Sequence, residues 1–195
     1  MNKTMKTLII IGAIVLLIII SISPYNKLVG LEEQVNSAWS QVENVYQRRL
    51  DLIPNLVNTV KGEANFEKNT LTEVINARAK ATQVTIDPTN MTEQNLQQFQ
   101  QAQGQVSSAL SRLLVSVEQY PQLRANDGFR NLQSQLEGSE NRIATERRRF
   151  NEVAQLYNTK LRKFPTVLFA KLFGFKNRPY FQADTEAQKA PKVEF

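Results

Sequence analysis

Apolar residues recur at alternating steps of three and four along most of the chain, beginning with Leu28, Leu31, Val35, Ala38, Val42, Val45, Leu52 and Leu56. Such steps place successive side chains on one face of an α-helix, here as a heptad-like seam. They predict a helix from about residue 25 to Gly62. A second helix, about 66–83, carries Leu71, Val74 and Ala81 on one face. A third, about 92–119, carries Leu96, Phe99, Val106, Leu110, Leu113 and Val117. A fourth, about 129–163, carries Phe129, Leu132, Leu136, Ile143, Phe150, Val153, Tyr157 and Leu161. Between them, "VTIDPTNMTE" (84–93) reads as a turn with Asp87-Pro88 as breaker and Thr92 as N-cap, and "YPQLRANDG" (120–128) reads as a connection. Four helices with short connections are simplest to pack as an elongated antiparallel up-down bundle.

The first residues break this pattern. After Lys3 and Lys6, residues 7–23, "TLIIIGAIVLLIIISIS", carry no charge. A membrane-crossing helix needs about 20 apolar residues, with a lower limit near 17. A cleaved signal peptide is the rival, with Ser21 and Ser23 as small residues at cleavage spacing. Pro24 would then follow the cut directly, which favours an uncleaved anchor. The fold class predicted is therefore all-α, an N-terminal transmembrane helix followed by a four-helix bundle. The division expected is an anchor over 1–24, a bundle over 25–165, and an aromatic, basic segment with a tail over 166–195. Lys3 and Lys6 precede the run, and only Lys27 follows it closely before Glu32 and Glu33. The positive-inside rule then sets the N-terminus in the cytoplasm and the bundle outside.

The stretch "RRLDLIPNLV" (48–57) poses the main question. The steps 28, 35, 42, 49 put Arg49 on the core-facing seam, and the steps 71, 74, 78, 81 do the same for Arg78. By helical rise, Arg49 stands about 36 Å above Tyr25. Counted along their own helices, Arg78, Glu118 and Glu140 reach similar heights. These four residues are expected to form a partly buried polar layer that fixes helix register, since a buried charge must be paired. The bland alternative is that the arginines snorkel to the surface. Pro54 lacks an N–H and crowds the carbonyl of Leu50, which predicts a kink around 50–54. That kink would wrap the helix around the bundle, or expose carbonyls to a partner.

Cysteine and histidine are both absent from the 195 residues. Disulfides, thiol catalysis and Cys/His metal sites are thereby excluded, and the usual neutral-pH general base is missing. No cofactor, metal site or catalytic residue is expected. An enzyme using Glu118 and Glu140 is the weaker reading, because a register role explains both. Charge is uneven: residues 24–141 hold ten basic and thirteen acidic residues, whereas 142–178 hold ten basic and two acidic. Nucleic-acid binding through 142–178 is disfavoured because no known motif is present. In the up-down arrangement "TVLFAKLFGF" (166–175) returns to the membrane end. Lys163, Phe169, Lys171, Phe173 and Lys176 are then candidates for membrane-surface contact. The alternative is that Phe169, Leu172 and Phe173 cap the bundle core. The final "FQADTEAQKAPKVEF" reads as polar and loose up to "VEF".

Several segments resemble the LemA family. They are "YNKLVGLEEQVNSAWSQVENVYQRRLDLIPNLVNTVKGEANFEKNTLTEVINARAKA", "LSRLLVSVEQYPQLRAN", "FRNLQSQLEGSENRIATERRRFNEVAQLYN" and the "FGFKNRPYF…PKVEF" tail. The resemblance covers essentially the whole chain, and "RRLDLIPNLV", "EQYPQL" and "ENRI" together are specific to it. It departs only at Phe66, where a histidine or another polar residue is expected. It implies a bacterial, membrane-anchored protein with a long antiparallel helical domain, and no enzymatic activity or catalytic residues. It also implies that the short N-terminus faces outside, against the charge count. The expected role is a scaffold or adaptor in the bacterial inner membrane. Its partners would be the membrane, an unidentified membrane or envelope protein, or further copies of itself. The alternative is a lipid-surface binder acting through 142–178.

Overall fold

The computed structural model describes residues 3–62 and 66–182. Among these described residues six α-helices follow in order: α1 Lys3–Lys61, α2 Lys68–Gln83, α3 Glu93–Val117, α4 Pro121–Ala125, α5 Asp127–Arg162 and α6 Thr166–Phe173. A 3-10 turn, Pro88–Asn90, lies between α2 and α3. No strand occurs among the described residues. The chain is all-α, as the periodicity predicts.

Helix α1 packs along α5, and α2 pairs with α3. The core forms two clusters stacked along the bundle. The upper one gathers residues such as Ile53, Leu56, Val74, Val106, Leu113 and Phe129. The lower one gathers residues such as Leu28, Trp39, Phe99, Phe150, Tyr157 and Phe181. Position 28 and its heptad repeats at 35, 42, 49 and 56 are buried, but the second buried row is Trp39, Tyr46, Ile53 and Val60. The expected row at Leu31, Val45 and Leu52 is only half-buried. The buried face of α1 is therefore broader and rotated, because the helix packs against α5 on one side and α2–α3 on the other.

Helix α3 begins with the N-cap expected of Thr92. Its hydroxyl accepts from the Asn95 N–H at 3.2 Å, while the Asn95 side chain accepts from the Thr92 N–H at 2.8 Å. The 120–128 connection holds one unforeseen turn of helix, α4, opened by Pro121. Phe66, the departure from the family pattern, is buried with its ring centroid 5.0 Å from that of Tyr120. It closes the upper end of the core.

Helix α1 passes through Pro24 and Pro54 without a break. Along its first 23 residues the described apolar side chains stand exposed, Leu8 at 68% and Leu16 at 58% among them. Among the described residues no helix is long and apolar enough to cross a membrane. The crossing helix expected over 7–23 is therefore not shown by the structure.

Candidate functional site

Helix α1 presents Arg49 to α3 and α5 with its side chain 1% exposed. One terminal nitrogen donates to Glu140 at 2.6 Å and to Ser107 Oγ at 2.7 Å. The other donates to the Gln103 side-chain oxygen at 2.7 Å and to the Gln103 carbonyl at 3.1 Å. The guanidinium also lies over the Tyr46 ring, 5.2 Å from its centroid. Glu140 remains 45% exposed, so the pair bridges the interior to the surface. A cleft of about 390 Å³ opens beside it between α3 and α5, lined by Gln100, Gly104, Ser108 and Arg147 as well.

Arg78 stands at the same height but makes a different contact. Its Nε donates to the carbonyl of Leu50 at 2.9 Å. In a regular helix that carbonyl would accept from the N–H of residue 54, and residue 54 is proline. Arg78 thus supplies, from a neighbouring helix, a donor where Pro54 has none. The exposed carbonyl envisaged for a partner is met inside the bundle.

Glu118 does not join the layer. It is the exposed C-cap residue of α3, 11 positions beyond Ser107, or about 17 Å along the helix axis. The expected height fails because α3 starts above the foot of the bundle. The Thr89 carbonyl, just before α3, accepts from Arg178 Nη1 at 3.1 Å, and the same guanidinium donates to Glu32, seven residues above Tyr25. Glu118 and Glu140 are therefore not assembled as an acid–base pair. No group of three side chains able to hold a metal ion occurs among the described residues.

A second buried arginine was not foreseen. Arg178, 5% exposed, donates to Glu32 at 2.8 Å. It lies in an extended segment after α6 that α5 holds by its main chain. Asn158 accepts from the Arg178 N–H at 2.9 Å and donates to the Arg178 carbonyl at 2.8 Å. One helical heptad earlier, Asn151 does the same for Phe181, at 2.8 and 2.9 Å. The Phe181 ring is stacked on Trp39, centroids 6.0 Å apart, and the Arg147 guanidinium lies over the Phe181 ring, 5.0 Å from its centroid. The beginning of the supposed loose tail is accordingly strapped into the lower core, and the rest of it lies outside the described residues. The spacing of Asn151 and Asn158 on one face of α5 was the available signal, but two asparagines on a polar helix say nothing of their partner.

The charges of this region respond to burial. Burial, and next the nearby Glu32 carboxylate, hold the Tyr157 phenol far above the usual tyrosine range. Burial raises the Glu43 carboxyl above its ordinary value. Hydrogen bonds from the Thr89 hydroxyl and N–H keep the Asp87 carboxyl low in the turn before α3.

At the foot, α6 packs against α5 and α1. Tyr25 meets Phe173 edge-on at 5.0 Å and Phe175 at 5.7 Å. Lys163, Lys171 and Lys176 are exposed, Phe169 is half-buried, and Phe173 is 45% exposed. The most outward apolar side chains are others: Phe164 at 80%, Leu168 at 58% and Leu172 at 75%. The basic stretch 142–178 does not form one surface. Arg147 lies 16 residues before Lys163 on α5, about 24 Å above the foot by helical rise.

The LemA family model matches residues 38–195. The chain belongs to the LemA family. Magnetosome protein MamQ 2 of Paramagnetospirillum magneticum is 29% identical over 175 residues, covering 81% of this chain and 64% of that protein. Magnetosome protein MamQ of Magnetospirillum gryphiswaldense is 29% identical over 174 residues, covering 80% and 64%. Protein LemA of Metamycoplasma hominis is 25% identical over 158 residues, covering 81% and 68%. The chain thus spans 64% of the length of these magnetosome relatives.

Proposed function

We propose that this LemA-family chain is a membrane-anchored helical scaffold or adaptor. Residues 7–23 hold it, as a single pass, in the bacterial inner membrane, and the bundle offers its faces to a membrane or envelope protein. One observation carries this reading. The uncharged run continues into the bundle as a single helix, Lys3–Lys61, and its described apolar side chains have no protein packed over them. Exposed residues such as Ile9, Ile10 and Leu16 would be costly in water, each losing about 1.5–3 kcal/mol of burial. Membrane lipid removes that cost. The charges flanking the run favour a bundle outside the cytoplasm.

The paired arginines support a structural role for the interior. Arg49 and Arg178 each direct both terminal nitrogens to protein groups, while the Nε of each is buried without a partner among the described residues. The test is alkaline carbonate extraction of membranes from cells making the full chain. The intact chain is expected to stay in the pellet. The variant Ile10→Asp with Leu16→Asp is expected to move to the supernatant. Release of the intact chain itself would overturn the anchor.

A further inference from the structure

We propose that α6 is an interfacial helix that lies on the bilayer surface and prefers anionic lipid. This rests on the anchor reading and adds a second, separate membrane contact. Leu168 and Leu172, four positions apart on α6, are 58% and 75% exposed, and Phe164, in the turn just before the helix, is 80% exposed. Four positions on a helix put Leu168 and Leu172 on one face as an apolar stripe, with the exposed Phe164 ring just ahead of it in sequence. The opposite side of α6 is occupied, with Thr166 and Ala170 buried against the bundle. The stripe is therefore the outer face of a docked element and is not spare core.

Its position says what covers it. Tyr25 directly follows the uncharged run and Pro24, and its ring touches Phe173 and Phe175 on either side of the α6 C-terminus. If residues 7–23 span the bilayer, Tyr25 sits at the interface, and α6 sits beside it at the same depth. Tyr25 then lies where amphipathic rings accumulate, with the Phe173 and Phe175 rings packed against it. Charge agrees with this placement. Residues 160–182 contain six basic residues and no acidic one, and apart from Arg178, which is buried against Glu32, five basic residues remain at this end. Lys163, Lys171 and Lys176 are exposed around the stripe, where their stems can extend to lipid phosphates. An apolar stripe with a cationic rim fits a lipid surface bearing negative headgroups.

The absence of cysteine allows single spin labels in an otherwise unchanged chain. The full chain, labelled at Leu172→Cys, Ile10→Cys or Ser134→Cys, is reconstituted into vesicles of phosphatidylcholine with phosphatidylglycerol. Collision with oxygen, which enters lipid, is compared with collision with a water-soluble nickel chelate. Position 134 lies 29 residues from Lys163 on α5, about 44 Å from the foot, and serves as the water reference. The expected result is a several-fold higher oxygen-to-nickel ratio at 10 and at 172 than at 134. In pure phosphatidylcholine, or with Lys163, Lys171 and Lys176 all changed to Gln, the ratio at 172 should fall towards that at 134 while position 10 is unchanged. A lipid signal at 10 with a water signal at 172 overturns the proposal and leaves the anchor standing. Water signals at both positions overturn the anchor itself. Dipolar broadening between labels at 172 would mean that a second copy covers the stripe, and would also overturn the proposal. An equal lipid signal at 172 in all three membranes and variants would refute the anionic preference.

Discussion

Arg49 shows how a charge persists on a hydrophobic seam. Its two terminal nitrogens find four acceptors, three of them on side chains of α3 and α5. Breaking a buried pair from one side leaves the other charge unpaired, which is where the cost arises. Because Glu140 is 45% exposed, solvent recovers part of that cost. Thermal or denaturant unfolding should show Glu140→Ala losing about 1–3 kcal/mol, as for a removed partner of a buried donor. Glu137→Ala, an exposed neighbour on the same helix, should lose no more than about 0.5 kcal/mol. Equal small losses would mean that the layer does not set the register. Pro54 and Arg78 make a sharper case. Arg78→Met removes the donor to the Leu50 carbonyl and should cost about 1–3 kcal/mol. In a Pro54→Ala background the restored N–H can serve that carbonyl, so most of the cost should vanish in a double-mutant cycle. An undiminished cost would show that Arg78 acts by packing alone.

At the scale of elements, the helices were legible because their apolar period is strong, and the Thr92 cap was legible because its chemistry is local. Arg49 was placed on the seam by the heptad count alone, and Glu140 by counting heights. Glu118 was misplaced because that count assumed α3 to start at the foot, whereas the turn at 84–92 lies about seven residues higher on α1. The strap at 175–182 was not legible at all. It is extended, it lacks periodicity, and it is held mainly through its main chain, to which the sequence gives no register. Phe181 is its apolar anchor, and Trp39, the only tryptophan, is its reporter. Phe181→Ala should destabilise by about 3 kcal/mol, as for a buried aromatic cut to alanine. It should also shift Trp39 emission to longer wavelength as water reaches the indole. A loss of stability without that shift would place the strap elsewhere in solution.

For the whole molecule, α1 would link the proposed membrane anchor to what the bundle can present above it. The described apolar side chains at its start are exposed, its middle carries the Arg49 layer, and Val60 near its upper end closes the core together with Phe66 beyond the helix. The lower end is reinforced twice, by α6 against Tyr25 and by the Glu32–Arg178 pair. Such a base would transmit the orientation of the anchor to the bundle. On the proposed anchor, the flanking charges put the bundle outside the cytoplasm, and a single cysteine at Gln188→Cys tests that side. A membrane-impermeant maleimide should label it in intact cells, with any outer membrane made permeable. Labelling only after lysis would place the bundle in the cytoplasm.

The most direct test of the anchored bundle is a depth profile along α1 itself. Single spin labels replace Leu8, Leu16, Ile22, Lys27 and Asn44 in turn, in the full chain in lipid vesicles, and each is scored for oxygen against nickel collision. An anchor over residues 7–23 predicts lipid values at 8, 16 and 22, a crossing close to 27, and water values at 44. Water values at 8 and 16 would contradict it.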